Sequence, residues 1–423
     1  MTGRPRLCFR SGMTMSGSSR EGASAHRQTR TAPARWLRLA AGAFLSLAAT
    51  LPAAWAQSFQ SAAPYAVLLD SASGTVLYEK AADELMAPAS IAKIATALVA
   101  FQEIAQGRLT LDSEIAISEN AWRKGGGVSG GSTMFAQLNS RVKLSDILHG
   151  IIVQSGNDAS IALAEAVAGD EATFARIMTE RMRGLGFTRS VFRNATGMGD
   201  PQQKVTAREM ALLADHIVKT YPDHYRIFGQ REFTWNKIKQ QNRNPLLTMD
   251  IGADGLKTGN IDESGYGLVG SAVQNGQRLI VVVNGLKTGR DRASEARKLL
   301  EWGFRAFEAR RIFEAGEIVG EASVFGGEKG RVALKAKGPV SLLLPRGSSE
   351  RLTARIVYRG PLTVPVQEGA EVARLLVTRG EVKTLDIPLY AAESIQPGTL
   401  QSRALDALME AATGWVRKAM GRS

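Results

Sequence analysis

Ser90 and Lys93 stand three positions apart at the start of an apolar run, 91–101, that contains neither glycine nor proline. Such a run is typical of a buried helix. Residues at positions i and i+3 of a helix share a face, so the lysine amine can lie beside the serine hydroxyl. A serine needs a base to become a nucleophile, and lysine can be that base when burial and a second cation favour its neutral form. The pair therefore predicts a nucleophilic serine with Lys93 as its general base.

A Ser-Gly-Asn tripeptide at 155–157 offers further groups that such a serine would use. It separates an apolar stretch from an alanine-rich one, which predicts a tight turn between two buried helices, with the glycine permitting the sharp change of direction. Ser155 can then relay a proton between Lys93 and a leaving amine. The Asn157 amide carries both donors and an acceptor, so it can orient the lysine and a substrate.

A Lys-Thr-Gly tripeptide at 257–259 lies among glycines that bracket a short strand, and a second strand is predicted at 266–273. The pattern predicts a hairpin whose outer strand lines a cleft. An extended substrate can pair with such an edge while Lys257 and Thr258 receive a carboxylate. Lys257 can also be the second cation that favours the neutral form of Lys93.

Each of these short patterns recurs elsewhere, so a single match carries little weight. The repeats lie at 140–143, 118–120 and 287–289. The last of them ends an apolar strand predicted at 279–283 and lacks the Asp-Gly lead-in of the 257–259 motif, so we interpret it as a strand-to-helix turn. The order and flanks of the three motifs carry the prediction.

Five sequence blocks in this order resemble the low-molecular-weight penicillin-binding proteins, which are D-alanyl-D-alanine carboxypeptidases of the serine peptidase type. The resemblance covers roughly residues 60 to 395. It implies an α+β fold whose DD-peptidase/β-lactamase-like catalytic domain has helices flanking an antiparallel sheet. After residue 307, short alternating strands separated by glycine and proline predict a small β-sandwich domain. The blocks that carry the resemblance are 88–93, 152–159, 192–197 with 206–211, 254–259 and 297–304.

The resemblance also implies roles for individual residues. Ser90 would be the acylated nucleophile and Lys93 the general base, with Ser155 and Asn157 forming the second wall of the site. The edge strand would contribute Lys257, Thr258 and Gly259.

Two further roles follow from the resemblance alone. Backbone N–H groups of Ser90 and Asn260 would form the oxyanion hole. Asn260 stands where family members often have histidine, a difference that leaves the backbone donor in place. Arg292 would hold the terminal carboxylate of the substrate, with Arg290 as a near rival.

The implied activity is removal of the terminal D-alanine from peptidoglycan stem pentapeptides through an acyl-enzyme, with β-lactam antibiotics as covalent inhibitors. A peptidoglycan DD-endopeptidase and a β-lactamase-like hydrolase of the same fold are alternatives. The lactamase requires a glutamate-bearing loop between the second and third motifs, and no glutamate there has a recognisable context. A non-catalytic wall-binding protein is disfavoured because all the reactive residues are present together.

The amino-acid composition limits which other classes of function are expected. The 423 residues carry a formal charge of +13, but residues 1–56 hold eight arginines and one acid, so without them the charge is +6. This basicity reflects targeting, and we expect no nucleic-acid partner. Four scattered histidines and one cysteine, Cys8, form no metal-binding pattern, and no phosphate-binding loop is evident, so we expect no metal and no cofactor.

Four segments are predicted along the chain. Residues 1–56 resemble a signal peptide that ends in a small-x-small cleavage site, with an uncleaved signal anchor as the alternative. A catalytic domain at 57–308 and a β-rich domain at 309–395 follow. The last segment, 396–423, has the periodicity of an amphipathic helix and predicts an in-plane membrane anchor, the alternative being a helix docked on the β-rich domain. These segments predict an enzyme at the periplasmic face of the bacterial inner membrane.

Overall fold

The computed structural model describes residues 8–9, 59–347, 352–379 and 382–399. The predicted signal peptide at 1–56 and the predicted helix at 396–423 lie almost wholly outside these residues. None of the helices in the described ranges combines the length and apolarity needed to cross a membrane.

An antiparallel sheet of five strands forms the centre of the N-terminal domain, residues 59–306. Its central strand is buried from Leu279 to Asn284, because both faces of the sheet are covered by helices. The strand Ala253–Ile261, called here the edge strand, pairs on one side only and carries the third motif. The strands in spatial order are Val76–Lys80, Tyr65–Asp70, Gln277–Leu286, Gly265–Gln274 and Ala253–Ile261.

Helices pack on both faces of this sheet. The helix Gly289–Ala306 covers one face, where Leu299 and Leu300 meet apolar side chains of the strands. On the opposite face, helices contribute Leu98, Met210 and Leu213 to one apolar cluster with side chains of the strands. The remaining α-helices are Lys93–Ala105, Glu119–Gly125, Leu144–His149, Asn157–Ala168, Glu171–Gly184, Ala207–Thr220 and Pro222–Tyr225.

The helix predicted after Ser90 is confirmed. Every residue from 91 to 101 is buried, as expected for an apolar run without charges other than Lys93. The helix begins with the 3₁₀ turn Ala89–Ala92 and continues as the α-helix Lys93–Ala105, called here the serine helix. Ser90 therefore lies in its first turn.

The three repeated patterns occupy ordinary structural positions. Residues 141–143 form a strand of a two-stranded ribbon with Glu114–Ala116. Ser118 accepts a hydrogen bond from the Ala121 N–H and so caps a helix, and Thr288 caps the helix Gly289–Ala306 in the same way. The predicted strand-to-helix turn at 287–289 is confirmed.

A second ribbon pairs Glu232–Trp235 with Ile238–Gln241.

The β domain, residues 307–399, contains two sheets around one apolar core. Its first strand, Phe307–Phe313, crosses the predicted boundary at 308/309 and pairs with Val340–Pro345. The sequence analysis predicted neither this strand nor the short strand Leu362–Thr363. The larger sheet contains, in spatial order, Cys8–Phe9, Leu352–Val357, Glu371–Arg379, Val382–Ala391, Arg331–Lys335, Ile318–Phe325 and Leu362–Thr363.

Candidate active site

The Lys93 side chain connects the first two motifs. Its Nζ lies 3.0 Å from Ser90 Oγ and 2.8 Å from Asn157 Oδ1, and it also donates to the Thr196 carbonyl at 2.5 Å. The whole residue is buried. The predicted pairing of Ser90 with Lys93 on one face of a helix is therefore present, with Asn157 in direct contact.

The environment of Lys93 favours its neutral form. Burial, together with the positive charge of Arg243, lowers its pKa from 10.5 to about 7, against the opposing effect of the Asp158 carboxylate. A neutral amine has two N–H donors and one lone pair. The two donors can serve Asn157 and Thr196, and the lone pair can then accept the Ser90 hydroxyl proton. The geometry thus suits general-base catalysis near neutral pH.

The Ser-Gly-Asn turn lies between two helical segments, as predicted, but its geometry differs from the prediction. Ser155, at φ 67°, is the residue in the left-handed region, whereas Gly156 has an ordinary φ of −57°. The glycine is needed for space, because a Cβ there would lie 2.9 Å from Asp158 Oδ1 and 3.0 Å from the Met134 nitrogen. The expectation that the glycine supplies the change of direction was wrong.

The two polar side chains of this turn are placed differently. Asn157 directs its Oδ1 to Lys93, and a Cβ on Gly131 would lie 3.0 Å from its Nδ2, so the amide nitrogen faces the neighbouring loop. Ser155 is buried, but within the described residues its hydroxyl makes no hydrogen bond to Lys93. A proton relay through Ser155 would require its hydroxyl to reach the lysine during the reaction.

Asp158 fixes the loop that faces this turn, a role the sequence analysis missed. Its carboxylate is fully buried and accepts hydrogen bonds from the Thr133 hydroxyl and from the backbone N–H groups of Met134 and Ala136. Hydrogen bonds to a buried carboxylate are strong and directional. The sequence feature that could have indicated this role is the position of Asp158 directly after the Ser-Gly-Asn tripeptide.

A tight turn near 194–197 presents the carbonyl that accepts from Lys93. Asn194 Oδ1 accepts from the N–H groups of Thr196 and Gly197, which holds the Thr196 carbonyl in place. Gly197 has φ +80°, and a Cβ there would lie 1.8 Å from the Ala89 carbonyl oxygen. Only glycine fits against the Ser90 turn at this point.

The edge strand approaches the Ser90 turn closely through Gly259. A Cβ at this glycine would lie 2.9 Å from the Pro88 carbonyl oxygen and 3.0 Å from Ile91. Lys257 and Thr258 are both buried on the same strand. The structure therefore brings the third motif beside the first, as the sequence predicted.

Lys257 and its neighbours form a cluster of positive charge. Burial lowers the pKa of Lys257 well below its ordinary value, and Lys93, Arg243 and Arg292 contribute in the same direction. Arg243 was not predicted, because no motif marks it. Its side chain is exposed, and the neighbouring Asn244 anchors its loop to the edge strand by donating to the Gly255 carbonyl at 2.7 Å.

The two candidate carboxylate-binding arginines differ in position. Arg292 is half-buried, its guanidinium lies 5.7 Å from the centre of the Tyr266 ring, and its charge acts on Lys257. Arg290 is exposed. Asn260, the predicted oxyanion-hole residue, is exposed at the end of the edge strand beyond Gly259. The geometry favours Arg292 over Arg290.

No group of three or more metal-ligating side chains occurs within the described ranges. The arrangement around Ser90 contains a nucleophile, the buried Lys93 amine and a cationic rim, the name used here for Lys257, Arg243 and Arg292. Such a site can acylate its serine with a substrate that ends in a carboxylate.

Family models match both domains. A model described as D-alanyl-D-alanine carboxypeptidase matches residues 52–288, and one described as the C-terminal domain of penicillin-binding protein 5 matches residues 307–397. The relative named D-alanyl-D-alanine carboxypeptidase DacC, from Escherichia coli K12, is 38% identical over 378 residues, which cover 88% of this chain and 94% of the relative.

Solved structures of penicillin-binding proteins are also similar to this chain. Penicillin-binding protein 5 from Haemophilus influenzae superimposes with a TM-score of 0.71 at 34% identity, over 80% of this chain and 98% of that one. Penicillin-binding protein D2 from Listeria monocytogenes, solved in its ampicillin-bound form, has a TM-score of 0.52 at 27% identity and covers 58% of this chain and 98% of its own.

Proposed function

This chain belongs to the D-alanyl-D-alanine carboxypeptidase family and is a serine carboxypeptidase, and from that premise we propose that Ser90 is the nucleophile that releases the terminal D-alanine of a peptidoglycan stem pentapeptide. The observation that carries the proposal is the 3.0 Å contact between Ser90 Oγ and the buried Lys93 amine. The names of the relatives favour this activity over the endopeptidase and β-lactamase-like alternatives.

Acylation begins when neutral Lys93 accepts the Ser90 proton. The Oγ–carbon bond forms at the carbonyl between the two D-alanines, and the resulting oxyanion is held by the N–H groups of Ser90 and Asn260. The carbon–nitrogen bond then breaks, and D-alanine leaves as an amine with a proton from Lys93, directly or through Ser155. Asn157 orients the lysine throughout by accepting its second hydrogen bond.

Deacylation reverses the proton transfers. Lys93 takes a proton from water, the new oxygen–carbon bond forms, and the ester bond to Ser90 breaks as the serine recovers its proton. A β-lactam acylates Ser90 by the same first step, and its ring-opened product remains attached. The ampicillin-bound relative supports this extension to penicillins.

The substrate's terminal carboxylate is proposed to bind the cationic rim. Lys257 and Thr258 lie on the edge strand, and Arg292 adds a positive charge close enough to lower the pKa of Lys257. Because Gly259 brings this strand against the Ser90 turn, a peptide paired with its free edge would present its last amide bond to the serine.

A labelling experiment tests the nucleophile. Ser90→Ala should abolish covalent labelling by a fluorescent penicillin, because no oxygen remains to form the ester. Ser140→Ala is the matched control, since Ser140 begins a repeated Ser-x-x-Lys pattern whose lysine, Lys143, pairs with Asp112 at an exposed position. A penicilloyl mass adduct on the Ser90 variant would refute the assignment.

We also propose that the enzyme is exported and held at the periplasmic face of the inner membrane by residues 396–423. Their sequence pattern places Leu405, Leu408, Met409 and Val416 on one face of an amphipathic helix, and burying apolar surface at about 25 cal/mol per Å² would supply several kcal/mol. Basic residues would add attraction to anionic lipids.

Truncation after Pro397 tests this anchor. The shortened mature protein should move from the membrane fraction to the soluble periplasmic extract, and its hydrolysis of a small D-Ala-D-Ala peptide should be unchanged. A truncated protein that still sediments with membranes would locate the anchor elsewhere.

A further inference from the structure

Gln203 has a buried side-chain amide beside the turn at 194–197, whose Thr196 carbonyl accepts a hydrogen bond from Lys93. Glutamine is mostly an exposed residue, yet Gln203 is only 1% exposed, and it belongs to none of the three motifs. A buried amide is costly unless its oxygen and its nitrogen both find hydrogen-bond partners. The partners of Gln203 therefore indicate which part of the fold it holds in place.

Both polar atoms of this amide bind the backbone of the turn. Gln203 Oε1 accepts from the N–H groups of Arg193 at 3.0 Å and Asn194 at 3.2 Å, where the chain enters the turn. Gln203 Nε2 donates to the Met198 carbonyl at 3.2 Å, where the chain leaves it. The Asn194 amide donates to the same carbonyl at 3.1 Å. One side chain thus joins the two ends of the turn.

The backbone that carries Gln203 is anchored as well. Close after it in the chain, Val205 exchanges two hydrogen bonds with Met86, each 2.9 Å long. Met86 leads into the turn that carries Ser90. The segment that holds Gln203 is therefore tied to the segment that holds the nucleophile.

The serine helix holds the turn from the other side. Thr96 is fully buried and donates to the Ala195 carbonyl at 2.7 Å. Lys93 and Thr96 stand at positions i and i+3 of the helix, so both can face the turn. Thr96 and Gln203 together restrict the direction in which the Thr196 carbonyl points.

The direction of this carbonyl decides which part of the Lys93 amine faces Ser90. A neutral amine has two N–H donors and one lone pair. While Asn157 and Thr196 accept from the two donors, the lone pair is left for the Ser90 hydroxyl. If the Thr196 carbonyl moved away, the amine could rotate about its Cε–Nζ bond and present an N–H to the serine. The amine would then donate to the nucleophile and could not accept its proton.

We propose that Gln203 is a positioning residue that, together with Asn194, fixes the Thr196 carbonyl. The lone pair of Lys93 is thereby kept directed at the Ser90 hydroxyl. Gln203 contacts neither the serine nor the lysine, so it acts only through the turn. This role depends on the proposed role of Lys93 as the general base.

Gln203→Met tests this role, because methionine keeps the approximate shape of the side chain and removes its hydrogen bonds. Stopped-flow measurement with a fluorescent penicillin separates the dissociation constant of the noncovalent complex from the rate constant of acylation. A displaced base should lower the acylation rate constant about ten- to hundredfold and leave the dissociation constant unchanged.

Gln274→Met is the matched control for the loss of an amide. Gln274 also donates to a backbone carbonyl, that of Ile251 at 3.0 Å, but this carbonyl lies before the edge strand begins. The variant should change neither constant. A Gln203 variant that acylates as fast as the Gln274 variant would overturn the proposal.

A cycle of two variants shows whether Gln203 acts through Lys93. In a Lys93→Ala background, Gln203→Met should cause no further loss of acylation, because no amine is left to position. Losses that multiply in the double variant would overturn the proposal, since a general weakening of the fold lowers the rate in both backgrounds. Parent-like acylation by Lys93→Ala alone would contradict the proposed base and, with it, this role. A slow Lys93→Ala combined with a parent-like Gln203→Met would contradict the positioning role alone.

A second pair of variants decides the question if Gln203→Met does not fold. Asn194→Asp keeps an oxygen that can accept from the N–H groups of Thr196 and Gly197, whereas Asn194→Ala removes it. On the upper plateau of the pH profile, Asn194→Asp should retain most of the parent acylation rate, and Asn194→Ala should be as slow as expected for Gln203→Met. Equal acylation by the two Asn194 variants would show that this turn does not position the base.

Discussion

The N-terminal domain buries two lysines, Lys93 and Lys257, whereas the described part of the β domain keeps its charges at the surface. Among the described residues of the β domain, Thr384 is the one polar side chain in the buried class. Its charged groups pair in solvent, as Lys335 does with Glu368 at 3.1 Å and Arg374 with Asp386 at 2.7 Å. The described part of one domain thus contains desolvated lysines, and that of the other does not.

The free-energy cost of burying a charged amine is consistent with the proposed base lying in the N-terminal domain. Desolvation disfavours a charged amine, so a buried lysine without a carboxylate in contact moves toward its neutral form. Lys93 instead contacts an amide oxygen and a backbone carbonyl, which orient it without restoring its charge. An exposed lysine such as Lys329, paired with Glu393, keeps its proton and cannot serve as a base.

Replacing the buried Lys93 and the exposed Lys329 should give the largest difference in acylation rate. Lys93→Ala removes the proposed base, so acylation by penicillin should fall by a factor of ~10²–10⁴. Lys329→Ala, the matched change in the β domain, should leave the rate unchanged. Stopped-flow measurement of acylation checks both. A Lys93 variant that acylates at the normal rate would show that another group accepts the serine proton.

The pH dependence of acylation gives a second test of the difference between a buried and an exposed lysine. Because burial lowers the pKa of Lys93 to about 7, the neutral amine becomes the major form above that pH. Acylation by the parent enzyme should therefore rise through about pH 7 and then level off. The residual acylation by Lys93→Ala should lack this step. A parent profile whose step lies near 10.5 would mean that Lys93 keeps its ordinary pKa.

A smaller effect is expected at the cationic rim. Arg292→Ala removes a half-buried charge that acts on Lys257, so kcat/KM for peptides ending in free D-alanine should fall about ten- to hundredfold. C-terminally amidated peptides lack the carboxylate and should lose far less. Arg290→Ala, two positions away and exposed, is the control. Equal losses on free and amidated peptides would refute carboxylate binding by Arg292.

The sequence alone predicts the serine helix, the hairpin and the approach of the three motifs, because each of these features depends on a local sequence pattern. An uninterrupted apolar run admits few alternatives to a buried helix, and glycine-bracketed strands favour a hairpin. The contacts of Lys93 with Ser90 and Asn157 followed once those elements were in place.

Other features depended on contacts that no local pattern reveals. Arg243 lies near both lysines because Asn244 fastens its loop to the edge strand, a tertiary contact. The left-handed residue of the second motif is Ser155, and Gly156 is present because neighbouring atoms leave no room for a side chain. The strand Phe307–Phe313 is rich in residues compatible with a helix, and only its pairing with another strand decides its structure.

The smallest effect on catalysis is expected from a core substitution in the β domain. Leu375 is fully buried in its apolar core, so Leu375→Ala should lower the free energy of unfolding of that domain by about 2–5 kcal/mol. Because no buried charge of the site depends on that core, kcat/KM for a small D-Ala-D-Ala peptide should stay at the parent value at temperatures where the domain remains folded. Calorimetry and peptide hydrolysis on the same sample check both parts.

Leu98→Ala provides the opposite case, because Leu98 is buried in the serine helix. It should destabilise the N-terminal domain by a similar amount, and loss of packing around Lys93 should reduce the acylation rate as well. If Leu375→Ala lowered activity as much as Leu98→Ala, the two domains would share one cooperative structure, and the separation of a charged site from an apolar support domain would not hold.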